Sequence, residues 1–336
     1  MTAAEANLLL PKCGARQRNT APHQAGHDMQ DWYWASFLNW PEVHCPSNIM
    51  VHPAKGFNKM TINNFGVDFL LMYMRRFPLE TGKWRLSRWL NKKTSNMQAI
   101  IRTSDGFLMR LHTADFIQHT IFVTGRWDED VGQVIRSTLK TGDVFVDIGA
   151  NVGYFSLLAS QLGSKVISFE PNPKCLAQLK MNIELNNRKN IDVRPVGLAD
   201  KPGIAEFHVS DASNIGGGSL RDSFGEKFSV QLDTLDAQLL DQPVRLIKID
   251  IEGAEVLALK GASATLSRPD APDVICEVSE NILRHLNSSK EELFKLMLSY
   301  GYNNRIISPI RKSNLSEDIP FFQYDVLFYK IRPCLQ

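Results

Sequence analysis

The chain of 336 residues is short of cysteine, of net charge and of long apolar runs, and each shortage excludes something. Its five cysteines (Cys13, Cys45, Cys175, Cys276 and Cys334) are odd in number, scattered and without a Cys-x-x-Cys pair. They fit reduced thiols in a cytoplasmic protein, not a disulfide framework. The formal net charge is +2, from 38 Lys and Arg against 36 Asp and Glu. That gives no electrostatic case for nucleic acid as the main partner. The run Phe69–Met74 is far shorter than the ~20 residues a membrane span needs. The first residues hold an acidic Glu5 and only three consecutive leucines, a poor signal peptide. His23, His27, His44, Cys45 and His52 match no common zinc-finger spacing, so no metal is expected there.

Apolar residues make up 43% of the chain, ample for a buried core. The length suggests one large domain with an extension. Residues 1–27 read as a mobile tail, 28–96 as a mainly helical extension and 97–336 as the main domain. In the extension, Tyr33, Phe37 and Trp40 fall on one helical face. That face packs on the main domain, or serves as a pocket wall or homodimer contact. The basic segment 82–93, with interleaved Trp and Leu, reads as a solvated helix with a packed apolar side.

From residue 97 the pattern is regular. Residues 99–112 form a predicted hairpin about Ser104, Asp105 and Gly106. A helix is predicted over 128–140. Strands at 143–149, 165–171, 191–198, 204–209, 244–253, 273–279 and 321–330 alternate with helices at 154–163, 173–187, 254–266 and 289–301. Pro173 starts one helix and Ser289 caps another. Several strands are apolar without alternation, as strands covered on both faces must be. The expected fold is α/β: a doubly wound, mostly parallel sheet. No helix separates 303–308 from the last strand, so an antiparallel edge is expected.

The stretch Val146–Ser156, VDIGANVGYFS, is the most informative. In such sheets the ligand sits beyond the carboxyl ends of the strands. Gly149 and Gly153 permit positive φ and remove Cβ atoms that would hinder a ligand. The following helix would aim its amides at that ligand. Glu170 ends the next strand, where a carboxylate accepts hydrogen bonds from both hydroxyls of a ribose. The dinucleotide fingerprint needs a middle glycine, and Asn151 stands there. Asp147 at the head of the turn repels a pyrophosphate but suits the sulfonium and ammonium of S-adenosylmethionine.

A second cluster, Lys248-Ile249-Asp250-Ile251-Glu252, lies at the end of a central strand. Lys248 and Asp250 share a face. Asp250 reads as a wall of the methionine site or a polariser of the acceptor, with Glu252 beside it. Glu277 and Glu280 end the following strand near the same cleft. Histidine is the side chain best suited to proton transfer near neutral pH, which makes His285 a candidate base. Asp233 and Asp236 read as caps of a short helix or turn. The triple glycine of 214–220 is a surface loop or a lid.

Together, FVDIGANVGYFSLLAS, FEPNP, LDTLD and LIKIDIEGAEVLALKGA resemble the FkbM family of S-adenosylmethionine-dependent methyltransferases, of the class I fold. The likeness covers about residues 100–330. It implies a seven-strand sheet with a reversed last strand. It also implies a methyl donor bound by Asp147, Gly149, Asn151, Gly153, Tyr154 and Glu170. The reaction implied is methylation of a hydroxyl on a natural product, small molecule or sugar, with Asp250, Glu252 and His285 as catalytic candidates. Two other readings stand beside it: a nicotinamide-dependent oxidoreductase, and a non-catalytic binding protein on the same scaffold.

Overall fold

A computed structural model describes Thr94 and residues 97–209, 218–219, 226–240, 242–307, 311–313 and 321–331. The predicted tail, almost all of the helical extension and most of the glycine-rich loop lie outside the described residues.

The chain enters through a hairpin, β1 (Gln98–Arg102) and β2 (Leu108–His112), then α1 (Phe116–Thr124) and α2 (Glu129–Thr138). The main sheet is built by β3 (Val144–Ile148), β4 (Lys165–Phe169), β5 (Ile191–Arg194), β10 (Leu246–Ile249), β11 (Asp273–Ser279), β12 (Asn303–Ile306) and β14 (Phe321–Tyr329). Their order is β12-β14-β11-β10-β3-β4-β5, with β13 (Arg311–Ser313) also pairing β14. The five strands from β11 to β5 run parallel, and β14 is antiparallel to both its neighbours. This is the expected seven-strand α/β sheet with a reversed last strand.

The helices between these strands are α3 (Tyr154–Gln161), α4 (Pro173–Leu185), α6 (Glu255–Lys260), α7 (Ser263–Ser267), α8 (Glu280–His285) and α9 (Lys290–Ser299). Local chemistry starts them. Pro173 occupies the first turn of α4, and Ser289 caps α9 by accepting from the Glu292 amide at 3.2 Å. One apolar core lies on each face of the sheet. Phe145, Leu157, Leu246 and Ile275 belong to one, and Val146, Ile247, Ile249 and Val274 to the other.

The structure departs from the sequence reading at several elements, and the helix expected over 254–266 is two, α6 and α7. The helix α1 was not predicted, although Asp115 caps it by accepting from the Gln118 amide at 2.9 Å. Residues 191–198 are not one strand: β5 ends at Arg194, and β6 (Gly197–Leu198) joins a second sheet. That sheet, β6-β9-β7-β8, contains a strand sequence reading missed, β9 (Glu226–Asp233), paired with β7 (Gly203–Val209). In β9, Phe228, Val230 and Leu232 alternate with Lys227, Ser229 and Gln231, which was the available signal. Its last member is β8 (Gly218–Ser219), and α5 (Leu235–Leu239) follows β9. Among the described residues no helix is long and apolar enough to cross a membrane.

The hairpin is fastened to α4 by side-chain amides that act as a substitute strand. Asn186 Oδ1 accepts from the Leu108 amide at 2.8 Å, and Asn186 Nδ2 donates to the Leu108 carbonyl at 2.7 Å. Asn182 Oδ1 accepts from the Arg110 amide, and Gln178 Nε2 donates to the Arg110 carbonyl, at 2.8 and 2.9 Å. Residues 178, 182 and 186 are four apart and share one helical face. Asn182 is fully buried and also donates to the Val152 carbonyl at 2.9 Å, next to the glycine turn. Asn182→Ala orphans two buried backbone groups and is expected to cost about 2–4 kcal/mol in urea unfolding. An unchanged midpoint would show that the amides do not hold the hairpin.

Candidate active site

The strand order reverses between β3 and β10. The chain leaves β3 towards β4 and β5, then crosses back to β10 on the other side. A crevice opens at that point, beyond the carboxyl ends of the strands. Here it is a cavity of about 1020 Å³ including its open mouth. Its lining includes Gly149, Ala150, Asn151, Val152 and Tyr154 of the glycine turn, with Glu170, Lys248, Asp250 and Glu252.

Four amides of the turn are already engaged. Gly149 and Ala150 donate to the Phe169 carbonyl at 3.0 and 3.1 Å, and Gly153 donates to the Ala150 carbonyl at 2.9 Å. The Asn151 amide donates to Glu170 Oε2 at 2.8 Å. These four amides are thereby withheld from a diphosphate. Both glycines have positive φ, +78° at Gly149 and +93° at Gly153. Asn151, where the dinucleotide fingerprint wants glycine, is left-handed at +50°. The glycines are needed for a reason other than ligand approach. A Cβ on Gly149 would lie 1.9 Å from the Asp250 carbonyl oxygen, and one on Gly153 would lie 2.4 Å from Leu179 Cδ1. They let the turn press against β10 and α4.

Glu170 is buried, and each carboxylate oxygen holds one backbone amide: Oε2 that of Asn151, Oε1 that of Asn172 at 2.9 Å. Burial pushes its pKa up to about 7 against those hydrogen bonds. Each oxygen keeps a lone pair for a ligand in the cavity.

Asp147 sits elsewhere than expected. It is 1% exposed and absent from the cavity lining. The pleat explains this. Asp147 points to the same face as Phe145, and its register neighbours are Ser168 on β4 and Lys248 on β10. Asp147 Oδ2 accepts from Ser156 Oγ at 2.6 Å, and its Oδ1 lies 3.8 Å from Lys248 Nζ. Burial raises its pKa; Lys248 and Ser156 pull it back.

Lys248 joins the two clusters that the sequence placed 99 residues apart. Its ammonium donates to the Gly149 carbonyl at 3.1 Å and lies 3.3 Å from Asp250 Oδ2. Burial opposes its charge, but Asp250 and Asp147 outweigh that and hold its pKa above the usual lysine range. Asp250, with its side chain 33% exposed, faces the cavity. Glu252 is half-buried in the same wall with φ of +52°. Burial, then the charge of Asp250, push its pKa up to about 8. Glu255 is turned inward, its Oε1 accepting from the Ile251 and Gly253 amides, both at 3.1 Å.

Glu277 lines a smaller recess beside the cavity, with Trp127, Lys248, Asp250 and Asp325. It accepts a hydrogen bond from Gln323 Nε2, and burial with the charges of Asp250, Glu252 and Asp325 lifts its pKa well above the carboxylate range. Glu280, expected at the same cleft, is on the surface, paired with Arg284 at 2.6 Å and Lys290 at 3.0 Å. His285 ends α8, exposed and outside the cavity lining. Asp236 acts as a cap, accepting from the Ala264 and Thr265 amides of α7, both at 2.8 Å.

The opposite wall was not anticipated. Val196, Leu198, Phe207, Val230 and Leu232 of the second sheet give an apolar surface suited to a planar base, and Trp127 closes another side. Lys248 is the one cation among the lining residues, and it is committed to two carboxylates.

Residues 147–303 match the Methyltransferase FkbM domain. A hexuronic acid methyltransferase, AglP, of Haloferax volcanii is 24% identical over 240 residues, 70% of this chain and 93% of that protein. Methyltransferase 1 of Beauveria bassiana is 26% identical over 172 residues, 44% of this chain and 66% of that protein. Among solved structures, a precorrin-6y C5,15-methyltransferase of Geobacter metallireducens aligns with a TM-score of 0.37 at 14% identity. That alignment covers 61% of this chain and 89% of the other. From its glycine turn to β12, the chain is similar to the FkbM methyltransferases.

Proposed function

We propose that this protein transfers a methyl group from S-adenosylmethionine to a hydroxyl oxygen of a saccharide or other small molecule. The observation that carries this reading is Glu170. Its carboxylate is fixed by two backbone amides in the cavity wall, with an open lone pair on each oxygen for the two ribose hydroxyls. The residues fit the donor in two further ways. The apolar wall from Val196 to Leu232 accepts a flat base, and the carboxylates of Asp250 and Glu252 suit a positive ligand. A dinucleotide is disfavoured by the occupied turn amides and the acidic lining. The hexuronic acid methyltransferase among the relatives supports a sugar-like acceptor.

S-adenosylmethionine supplies a methyl carbon activated by positive sulfur, so the protein's task is mainly alignment. Asp250, held by Lys248, orients the acceptor hydroxyl. Glu252 takes its proton as the new oxygen–carbon bond forms and the carbon–sulfur bond breaks. A carboxyl with a pKa near 8 is a useful base, because it holds a proton more strongly than an ordinary carboxylate. We assign the reaction to the cytoplasm on cysteine usage: Cys175 and Cys276 are buried thiols outside any disulfide.

Calorimetry with the two cofactors tests the class. S-adenosylmethionine is expected to bind and NAD to give no heat; tight NAD binding with no response to S-adenosylmethionine would overturn the reading. Glu170→Ala removes hydrogen bonds from an ionised acceptor and is expected to weaken donor binding about 100-fold. Unchanged affinity would remove the ribose argument. Products are sought by mass spectrometry as acceptors heavier by one methyl group from labelled donor. With that acceptor, kcat is expected to climb with pH through about 8, because the Glu252 carboxyl accepts a proton only once ionised. Glu252→Gln should abolish that rising limb and lower kcat about 100-fold or more. A variant that keeps the wild-type profile shows that another group is the base.

A further inference from the structure

We propose that Asp105, at the tip of the β1–β2 hairpin, is a positioning residue for the donor cavity, acting through Tyr154. The proposal rests on the donor reading above.

Tyr154 directly follows the glycine turn, opens α3 and is among the residues lining the cavity, with 4% of its surface exposed. Its hydroxyl donates to Asp105 Oδ2 at 2.5 Å. The hydroxyl is thus committed to the hairpin. Burial, then the charge of Asp105, raise the Tyr154 pKa well above its usual value, so the phenol stays a donor. Phe107, fully buried, packs edge-on against the same ring with centroids 5.3 Å apart. Ring and hydroxyl are therefore gripped by two residues of one turn.

That turn is itself fixed. Asp105 Oδ1 accepts from Arg136 Nη1 at 2.9 Å, and the Asp105 carbonyl accepts from Gln161 Nε2 at 2.5 Å. The Thr103 amide donates to the Phe107 carbonyl at 2.8 Å, and Gly106 takes φ of +96°. The Asp105 side chain is 8% exposed, and the Tyr154 phenol is one of the donors that satisfy it there. Asp105, Phe107 and Arg136 all precede the matched residues 147–303. This part of the donor wall is held from outside the family domain. A tyrosine ring free to change rotamer would open or block the cavity beside the turn. Tying its hydroxyl fixes the wall before the ligand arrives, which is preorganisation.

The test measures binding of S-adenosylhomocysteine by calorimetry, which needs no acceptor, alongside the melting temperature. Asp105→Ala is expected to weaken binding about tenfold, and Tyr154→Phe by a similar factor. The double variant should be no weaker than the worse single one, because both remove one interaction. Asp105→Asn keeps an acceptor oxygen for the phenol and should recover most of the affinity. Arg136→Ala removes the other partner of Asp105; it should lower the melting temperature while leaving affinity within about twofold. The proposal is overturned if Asp105→Ala binds like wild type, if the two losses multiply, or if Arg136→Ala weakens binding as much as Asp105→Ala. The last result would mark a general brace. Wild-type protein that takes up no S-adenosylhomocysteine would overturn the donor reading and this inference with it.

Discussion

The site depends on one buried cation. Lys248 lies beside Asp147 because β3 and β10 are parallel neighbours in that register. Burying an ammonium without partners would cost several kcal/mol; here two carboxylates and a backbone carbonyl surround it. The carbonyl belongs to Gly149, so the same ion ties the glycine turn to the sheet. The more exposed carboxylate belongs to Asp250, so it also fixes a group that faces the cavity. Gly149 and Asp250 are pressed together a second time, since a Cβ on the glycine would strike the Asp250 carbonyl. The glycine turn and the wall bearing Asp250 thus share one rigid junction.

Around that junction negative charge is in excess. Glu170, Glu252, Glu255 and Glu277 all have pKa values raised by burial and further by neighbouring carboxylates. Such groups are strained towards their protonated forms at neutral pH. A ligand carrying positive charge relieves that, whereas a diphosphate makes it worse. The wall's charge thus favours a positive ligand over an anionic one.

Much of this was legible in the sequence because it is local. The turn from Gly149 to Gly153, Glu170 one strand later and the pair Lys248 and Asp250 are read from short spacings. So are the parallel strands, whose uninterrupted apolar runs show burial on both faces. What was not legible depends on contacts far apart in the chain. Asp147 looked like a ligand-facing carboxylate, but the pleat turns it towards Ser156 and Lys248. Glu280 stood close in sequence to Glu277 yet belongs to α8, where Arg284 and Lys290 claim it. Asn182 gave no signal as an isolated asparagine, since its partners are the Arg110 amide and the Val152 carbonyl. The second sheet escaped because β9 is half polar, and with it went the apolar wall of the cavity.

The amide ladder between β2 and α4 has a consequence for biogenesis. Its bonds join residues 68, 72 and 78 positions apart. A two-stranded hairpin alone is marginally stable in water. On the ribosome, the segment emerges well before the helix that completes it. It must wait, unsupported, while the translation machinery adds those intervening residues, on the order of several seconds at ordinary elongation rates. The first of the described strands to be made are therefore among the last to settle.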